Sequence, residues 1–380
     1  MKRWVILLTI LFLTCSITAT AENNANDTQS EIQESLFSVF DFTEVNNTLK
    51  EIFPEEKMGF LELVTGVISG ELDFSIDLIK EMIFDQLAYE LRSSKKGLIQ
   101  ILLLVIVAAV FSNFSSVFKS TQVSEISFSM LYMFLITICL SNFHILIESI
   151  SVNLTKLMGF MEVLGPVYFL AVGMATGSAT SVAFYQLVLV LIYVVELLIL
   201  NFLLPVVQLY FLMKILGEFS PEIPLTKFSE LLETVVKWSL KTLMAGVVGF
   251  NVIQGILMPA IDSVKRSFLM KGGEAIPVIG DLVGGSGEIV LGSAKLIKNG
   301  IGVVGMVICV AICIAPIIQM AITSLLYQLV AAVVQPISDR RLVKCIGAMA
   351  EGSKLLLKVV IVTGSLFLIT IAVVATTTGG

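Results

Sequence analysis

Charge is scarce in this chain. Only 14% of its 380 residues are Asp, Glu, Lys or Arg, while 56% are apolar. A soluble domain carries about 25% charged residues, so an ordinary soluble globule is excluded and a polytopic membrane protein is indicated. Histidine occurs once, at His144. Beyond residue 96 the only aspartates are Asp262, Asp281 and Asp339, and none lies in a long apolar run. "VIGD" also lacks the first glycine of G-x-G-D, so an aspartyl intramembrane protease is excluded. The five cysteines are Cys15, Cys139, Cys309, Cys313 and Cys345, too scattered for a disulfide framework. Cys309 and Cys313 could share a helix face, but two thiols alone make a poor metal site. No metal, cofactor or nucleic-acid partner is expected.

What is present falls into three parts. Lys2 and Arg3 precede an apolar run from Trp4 to Leu13, and Ala19-Thr20-Ala21 supplies a small-x-small cleavage site. Residues 1–21 therefore read as a secretory signal peptide. Residues 22–96 hold 16 acidic and 6 basic residues, a net of −10. Ile32, Leu36, Phe37 and Phe40 recur there at helical spacing, as do Ile76, Ile79, Ile83 and Leu87. Pro54 fits a helix start. About three amphipathic helices are expected in this acidic region, which the signal would place outside the cytoplasm. It is either a cap on its own membrane domain or a docking surface for a partner.

Residues 97–380 form the membrane domain. Apolar runs of spanning length cover about 98–114, 126–147, 157–176, 182–216, 235–258, 300–335 and 355–376. The fold class is therefore all-α, with about seven or eight membrane segments. The run 182–216 would make a helix of about 52 Å against a hydrocarbon core of about 30 Å, and 300–335 is as long. Each contains a proline, Pro205 or Pro316, which predicts a kinked protruding helix or a hairpin that dips in and returns. "LPVVQLY" (204–210) echoes "APIIQMA" (315–321) at an offset of 111, and Pro166 pairs with Pro277 at the same offset. Residues 160–258 and 271–376 thus read as two copies of one unit. If 276–294 crosses the membrane the copies are inverted; if it lies in or dips into the membrane they are parallel. The crossing version puts both Lys265, Arg266, Lys271 and Arg340, Arg341, Lys344 inside.

The polar stretch 275–300, "AIPVIGDLVGGSGEIVLGSAKLIKNG", invites chemical readings. Gly280-xxxx-Gly285 is followed by Ser286 and Gly287, so the phosphate-binding lysine of a P-loop is missing. "GGSG" (284–287) matches the G-x-S-G of rhomboid-type proteases, but a serine needs a base and only His144 is available. Gly280, Gly284, Gly285, Gly287, Gly292, Gly300, Gly302 and Gly305 instead suit close helix packing or a bend. Pro166, Pro205, Pro277 and Pro316 are the predicted kink positions. The intramembrane pathway candidates are Glu196, Glu162, Lys241, Gln208 and Gln319, because polar groups in lipid are costly. The two glutamines follow matching prolines, where they could cap freed backbone groups or line a path.

The leader, the acidic segment, the multi-span body and above all "KRSFLMKGGEAIPVIGDLVGGSGEIVLGSAKLIKNGIGVVG" (265–305) resemble the stage III sporulation protein AE family. The resemblance implies a place in the mother-cell membrane around the forespore, within the stage III sporulation A complex. It implies as partners a secretion-type ATPase, ring-forming subunits and stage II sporulation protein Q, besides the lipid bilayer. It also implies a non-enzymatic, permease-like or gate role in a channel or export apparatus linking the two cells. An independent proton- or ion-coupled transporter using Glu196 and an intramembrane protease using Ser286 are the alternatives.

Overall fold

The computed structural model describes residues 35–53, 58–70, 121–176, 180–219, 225–273, 284–336 and 338–377, with isolated positions Ala88, Arg92, Ile99, Leu103 and Ile106. The signal-peptide positions Ala19 and Ala21, residues 22–34, Pro54, residues 71–96 except Ala88 and Arg92 (with Ile76, Ile79, Ile83 and Leu87), the 98–114 run except for its isolated positions, and Pro277 and Gly280 lie outside the described residues. Every regular element described is a helix.

Two short helices survive from the acidic region, α1 (Thr43–Ile52) and α2 (Phe60–Ser69). Thr43 N–H donates to Asp41 Oδ1 (2.9 Å) ahead of α1, and the Thr43 hydroxyl and amide together hold that carboxyl below its ordinary pKa. Glu62 reaches back to accept from Gly59 N–H (2.9 Å) at the start of α2. Gly70, at φ 72°, ends α2 in the left-handed conformation that favours glycine. Phe60 N–H donates to Asn46 Oδ1 (2.7 Å), and the rings of Phe37, Phe40, Phe42 and Phe60 pack in a chain, so α1 and α2 form one small unit.

The membrane body consists of α3 (Thr121–Thr176), α4 (Thr180–Leu198), a π-helical turn (Ile199–Leu203), α5 (Leu204–Phe219), α6 (Thr226–Gly273), α7 (Gly284–Val334) and α8 (Arg340–Thr377). Five rods are long and apolar enough to cross a membrane: Ser129–Thr176, Gln186–Gly217, Thr226–Leu257, Val290–Val334 and Arg340–Ala375.

Three expectations change here. The runs 126–147 and 157–176 are one helix of 56 residues. The polar link 148–156 contains no glycine or proline to stop it. Asn153 and Thr155 instead bond back to the carbonyls of Ser149 and Ser151 within the helix. Neither long run is a hairpin. The helix continues through buried Pro316 and, in α3, through Pro166. Before Pro205 it widens into the π turn, where Leu204 N–H donates to Ile199 O. A proline ring crowds the carbonyl four residues earlier, and an added residue in the turn relieves that conflict.

The third change concerns direction. Contacts pair Asn142 with Tyr327, Ser149 with Gln319, and Tyr168 with Gly302, so α3 and α7 are antiparallel. Ser324 meets Ala350, Cys313 meets Gly364 and Lys298 meets Ala375, so α7 and α8 are antiparallel too. Gly217 packs on Leu225, closing α5 against α6. Lys214 binds Glu351 at that end and Asn251 binds Thr370 further along, so α6 runs with α8. Thus α3, α6 and α8 point one way, and α4–α5 and α7 the other. The chain leaves α6 and enters α7 at the same end, and residues 284–294 are the first turns of α7. That arrangement disfavours the crossing version of 276–294 and with it the inverted copies; residues 276–283 themselves lie outside the described residues. The hairpins α4–α5–α6 and α7–α8 run in the same sense, and the clusters 265–271 and 340–344 lie at opposite ends. The offset of 111 carries the α5–α6 joint close to the α7–α8 joint, but carries Pro205, which follows a π turn, onto Pro316, which does not.

Glycine sets the closeness of this bundle. A Cβ on Gly302 would lie 2.8 Å from Tyr168 Oη, and one on Gly305 would lie 2.7 Å from Leu164 Cδ2. One on Gly352 would lie 2.6 Å from Phe143 Cε2, whose ring stacks on Phe211 at 3.9 Å. Gly300 is covered by Ile68 and Val64 of α2, which seats α2 on α7 near the end where α8 finishes. Gly292, by contrast, has open space around it.

Two outcomes follow from this packing. Gly352→Ala is expected to lower stability by about 1–3 kcal/mol through overpacking of the phenylalanine pair. Gly347→Ala, with nothing near its Cβ position, is expected to be neutral or to gain up to about 1 kcal/mol from helix propensity. Thermal unfolding in detergent compares them. A reporter fused after Gly380 is expected to lie on the same side of the membrane as a reporter inserted beside α2. Labelling with a membrane-impermeant reagent reads the two sides.

Candidate functional site

In lipid a polar side chain must find its partner within the protein or face something other than acyl chains. The polar groups of the body sort into levels along the bundle. Nearest the end where α8 finishes, Lys298 is fully buried and its Nζ donates to Ala375 O (3.2 Å). A cation near a helix C-terminus is favoured by the helix dipole. At the same level Asn251 Nδ2 donates to Val247 O (2.9 Å) and Thr370 Oγ1 (3.1 Å). Tyr168 Oη donates to Ile371 O (3.4 Å) across the gap left by Gly302.

Midway, Ser149 Oγ donates to Gln319 Oε1 (3.0 Å), joining α3 to α7. Toward the other end Asn142 Nδ2 donates to Tyr327 Oη (3.3 Å) and Ser324 Oγ to Ala350 O (3.1 Å). There Glu351 receives Lys214 Nζ (2.8 Å) and Tyr210 Oη (3.4 Å), with Lys214 lying 5.9 Å from the centre of the Tyr210 ring. Beside Glu351, at the α7–α8 joint, a cavity of about 280 Å³ is lined by Gln328, Gln335, Glu351 and Lys354 among small apolar residues.

The five predicted pathway residues behave differently from one another. Gln319 is half-buried and links two helices rather than capping its proline turn. Glu196 is half-buried on α4, one turn before the π turn. Glu162 on α3, Gln208 on α5 and Lys241 on α6 are exposed on the outside of the bundle. Among the described residues no hydrogen bond or ion pair joins these four to one another. Pro166 and Pro205 are exposed, and Gly284, Gly285 and Gly287 form the first turn of α7.

Ser286 starts α7 at one end, whereas His144 sits on α3 about level with Leu325 of the antiparallel α7. The stretch of α7 from Ser286 to Leu325 puts the two about 58 Å apart along the axis, so they form no nucleophile–base pair. Among the described residues, no group of three or more His, Cys, Asp or Glu is placed to hold a metal.

Sequence reasoning missed Lys298, Asn251 and the Tyr210–Lys214–Glu351 group, whose partners come from distant helices. It also missed Asn201. That residue is five positions after Glu196, a spacing that ordinary helical periodicity assigns to another face and a π turn restores to the same one.

Comparison with known proteins identifies the family. The profile of stage III sporulation protein AE matches residues 58–378. Stage III sporulation protein AE of Bacillus subtilis (strain 168) is 23% identical over 394 aligned positions, covering 99% of this chain and 98% of the relative. No solved structure matches. Since the family profile covers residues 58–378, most of the chain, this protein belongs to the stage III sporulation protein AE family.

Proposed function

We propose that the chain is a non-enzymatic integral membrane subunit of an apparatus joining mother cell and forespore, acting as its permease-like or gate component. The match to the sporulation family over residues 58–378 carries this reading. The structure lends it a body that suits a gate: five long apolar rods held by sparse interhelical hydrogen bonds, with α2 docked on α7. In this reading residues 22–96 face away from the cytoplasm of the mother cell. They meet other stage III sporulation A proteins, including ring-forming subunits, and stage II sporulation protein Q. The secretion-type ATPase engages from the cytoplasmic side.

One observation favours a second reading. Glu196 is a half-buried carboxylate within one of the two most apolar rods, and an ion-coupled transporter needs such a group. The readings separate on one substitution. Glu196→Gln abolishes proton-coupled transport but spares a gate that works through its neighbours.

In a strain lacking this chain, a forespore reporter gene is expected to fall silent. Restored wild-type and Ser286→Ala chains are expected to recover it equally, given the separation of Ser286 from His144. Deleting residues 22–96 is expected to remove partners from the chain purified out of sporulating cells. A reporter that stays active in the deletion strain, or purified chain that moves solute alone in liposomes, would overturn the gate reading.

A further inference from the structure

We infer that the mid-membrane outer face formed by α4–α5 and α6 is the docking surface for a second copy of this chain. The rod Gln186–Gly217 has a mean hydropathy of 2.8, close to the highest of the five. Yet Asn201, Pro205 and Gln208 are exposed on it, and Glu196 is half-exposed. The π turn Ile199–Leu203 aligns them. Glu196 and Asn201 are one wide turn apart, and Pro205 and Gln208 follow at α-helical spacing, so the four make one polar stripe. Asn201 stands at the middle of the rod.

The neighbouring helices continue the face. Counting sixteen residues back from Gly217 and sixteen forward from Leu225, which touch across the α5–α6 joint, sets Lys241 level with Asn201. Lys241 is exposed, and so are Thr242, Ala245 and Gly246 beyond it. Nothing lies within 4 Å of the Cβ positions of Gly246 and Gly249. Exposed Glu162 on α3 stands near the level of Glu196, by the same count across the Thr176–Thr180 joint.

Acyl chains offer none of these groups a partner, and intramembrane ionisable residues face protein or water. The face carries two carboxylates and one amine within a few turns, with carboxamides between them. It is therefore its own complement. In a pair related by a two-fold axis along the membrane normal, Lys241 of each copy comes opposite the Glu196–Asn201 level of the other. The small residues Thr242, Ala245, Gly246 and Gly249 let the backbones come close enough for those bonds to form. A partner must offer both signs of charge to match this face, as a second copy does, and a water path would not need the bare glycine surface.

The full-length chain, expressed in a host without sporulation proteins, tests this. A photo-activated crosslinking side chain is placed at Gln208 or at Ala245, with Leu325, exposed on α7, as the control. Adducts of two chains are expected from the first two positions and not from the third. Lys241→Met is expected to weaken them by about threefold to thirtyfold, the span for one interhelical polar contact. If that variant does not accumulate, Gly246→Leu, which fills open space in the single chain, is expected to accumulate normally and to abolish the adduct. Adducts only to host proteins, adducts only to lipid, no adduct at either site, or equal pairing from Leu325 would each overturn the proposal.

Discussion

The bundle depends on how closely α7 can approach its neighbours. Lipid supplies no hydrophobic drive between helices, so their attraction comes from van der Waals contact and hydrogen bonds. Both fall away steeply with distance. Gly300 admits α2, Gly302 and Gly305 admit α3, and Gly364 of α8 admits Cys313 of α7. Each removes a side chain where one would hold two backbones apart. Once the helices are that close, short side chains can bridge them, and Ser149, Asn142 and Ser324 do so.

That order of dependence explains what the sequence could and could not reveal. Composition alone fixes an all-helical membrane body, because only helices satisfy their own backbone in lipid when no barrel pattern is present. The glycines of 300–305 announce close packing by spacing, and the intramembrane polar residues are visible as exceptions in apolar runs. Continuity is not visible. The segment 148–156 reads as a loop by polarity, yet Asn153 and Thr155 satisfy themselves on the helix backbone and keep it intact. Direction is not visible either. It rests on pairs such as Lys298 with Ala375 and Asn251 with Thr370, separated in sequence by 77 and 119 residues.

The π turn shows a subtler limit. Periodicity assumes a constant number of residues per turn. One inserted residue before Pro205 rotates everything that precedes it relative to everything that follows. The polar stripe from Glu196 to Gln208 exists only because of that rotation. Proline was legible as a disturbance, but the form it takes, a widening of the helix into a π turn, was not.

The length of α3 reaches beyond the membrane question. At 56 residues it measures about 84 Å, and a bilayer with its headgroups is about 40–45 Å thick. Roughly half of the helix therefore stands clear of the lipid, together with the parts of α7 and α8 packed along it. The protein carries its own pedestal. A push applied to that stem would pass through continuous helix into the membrane without crossing a flexible joint.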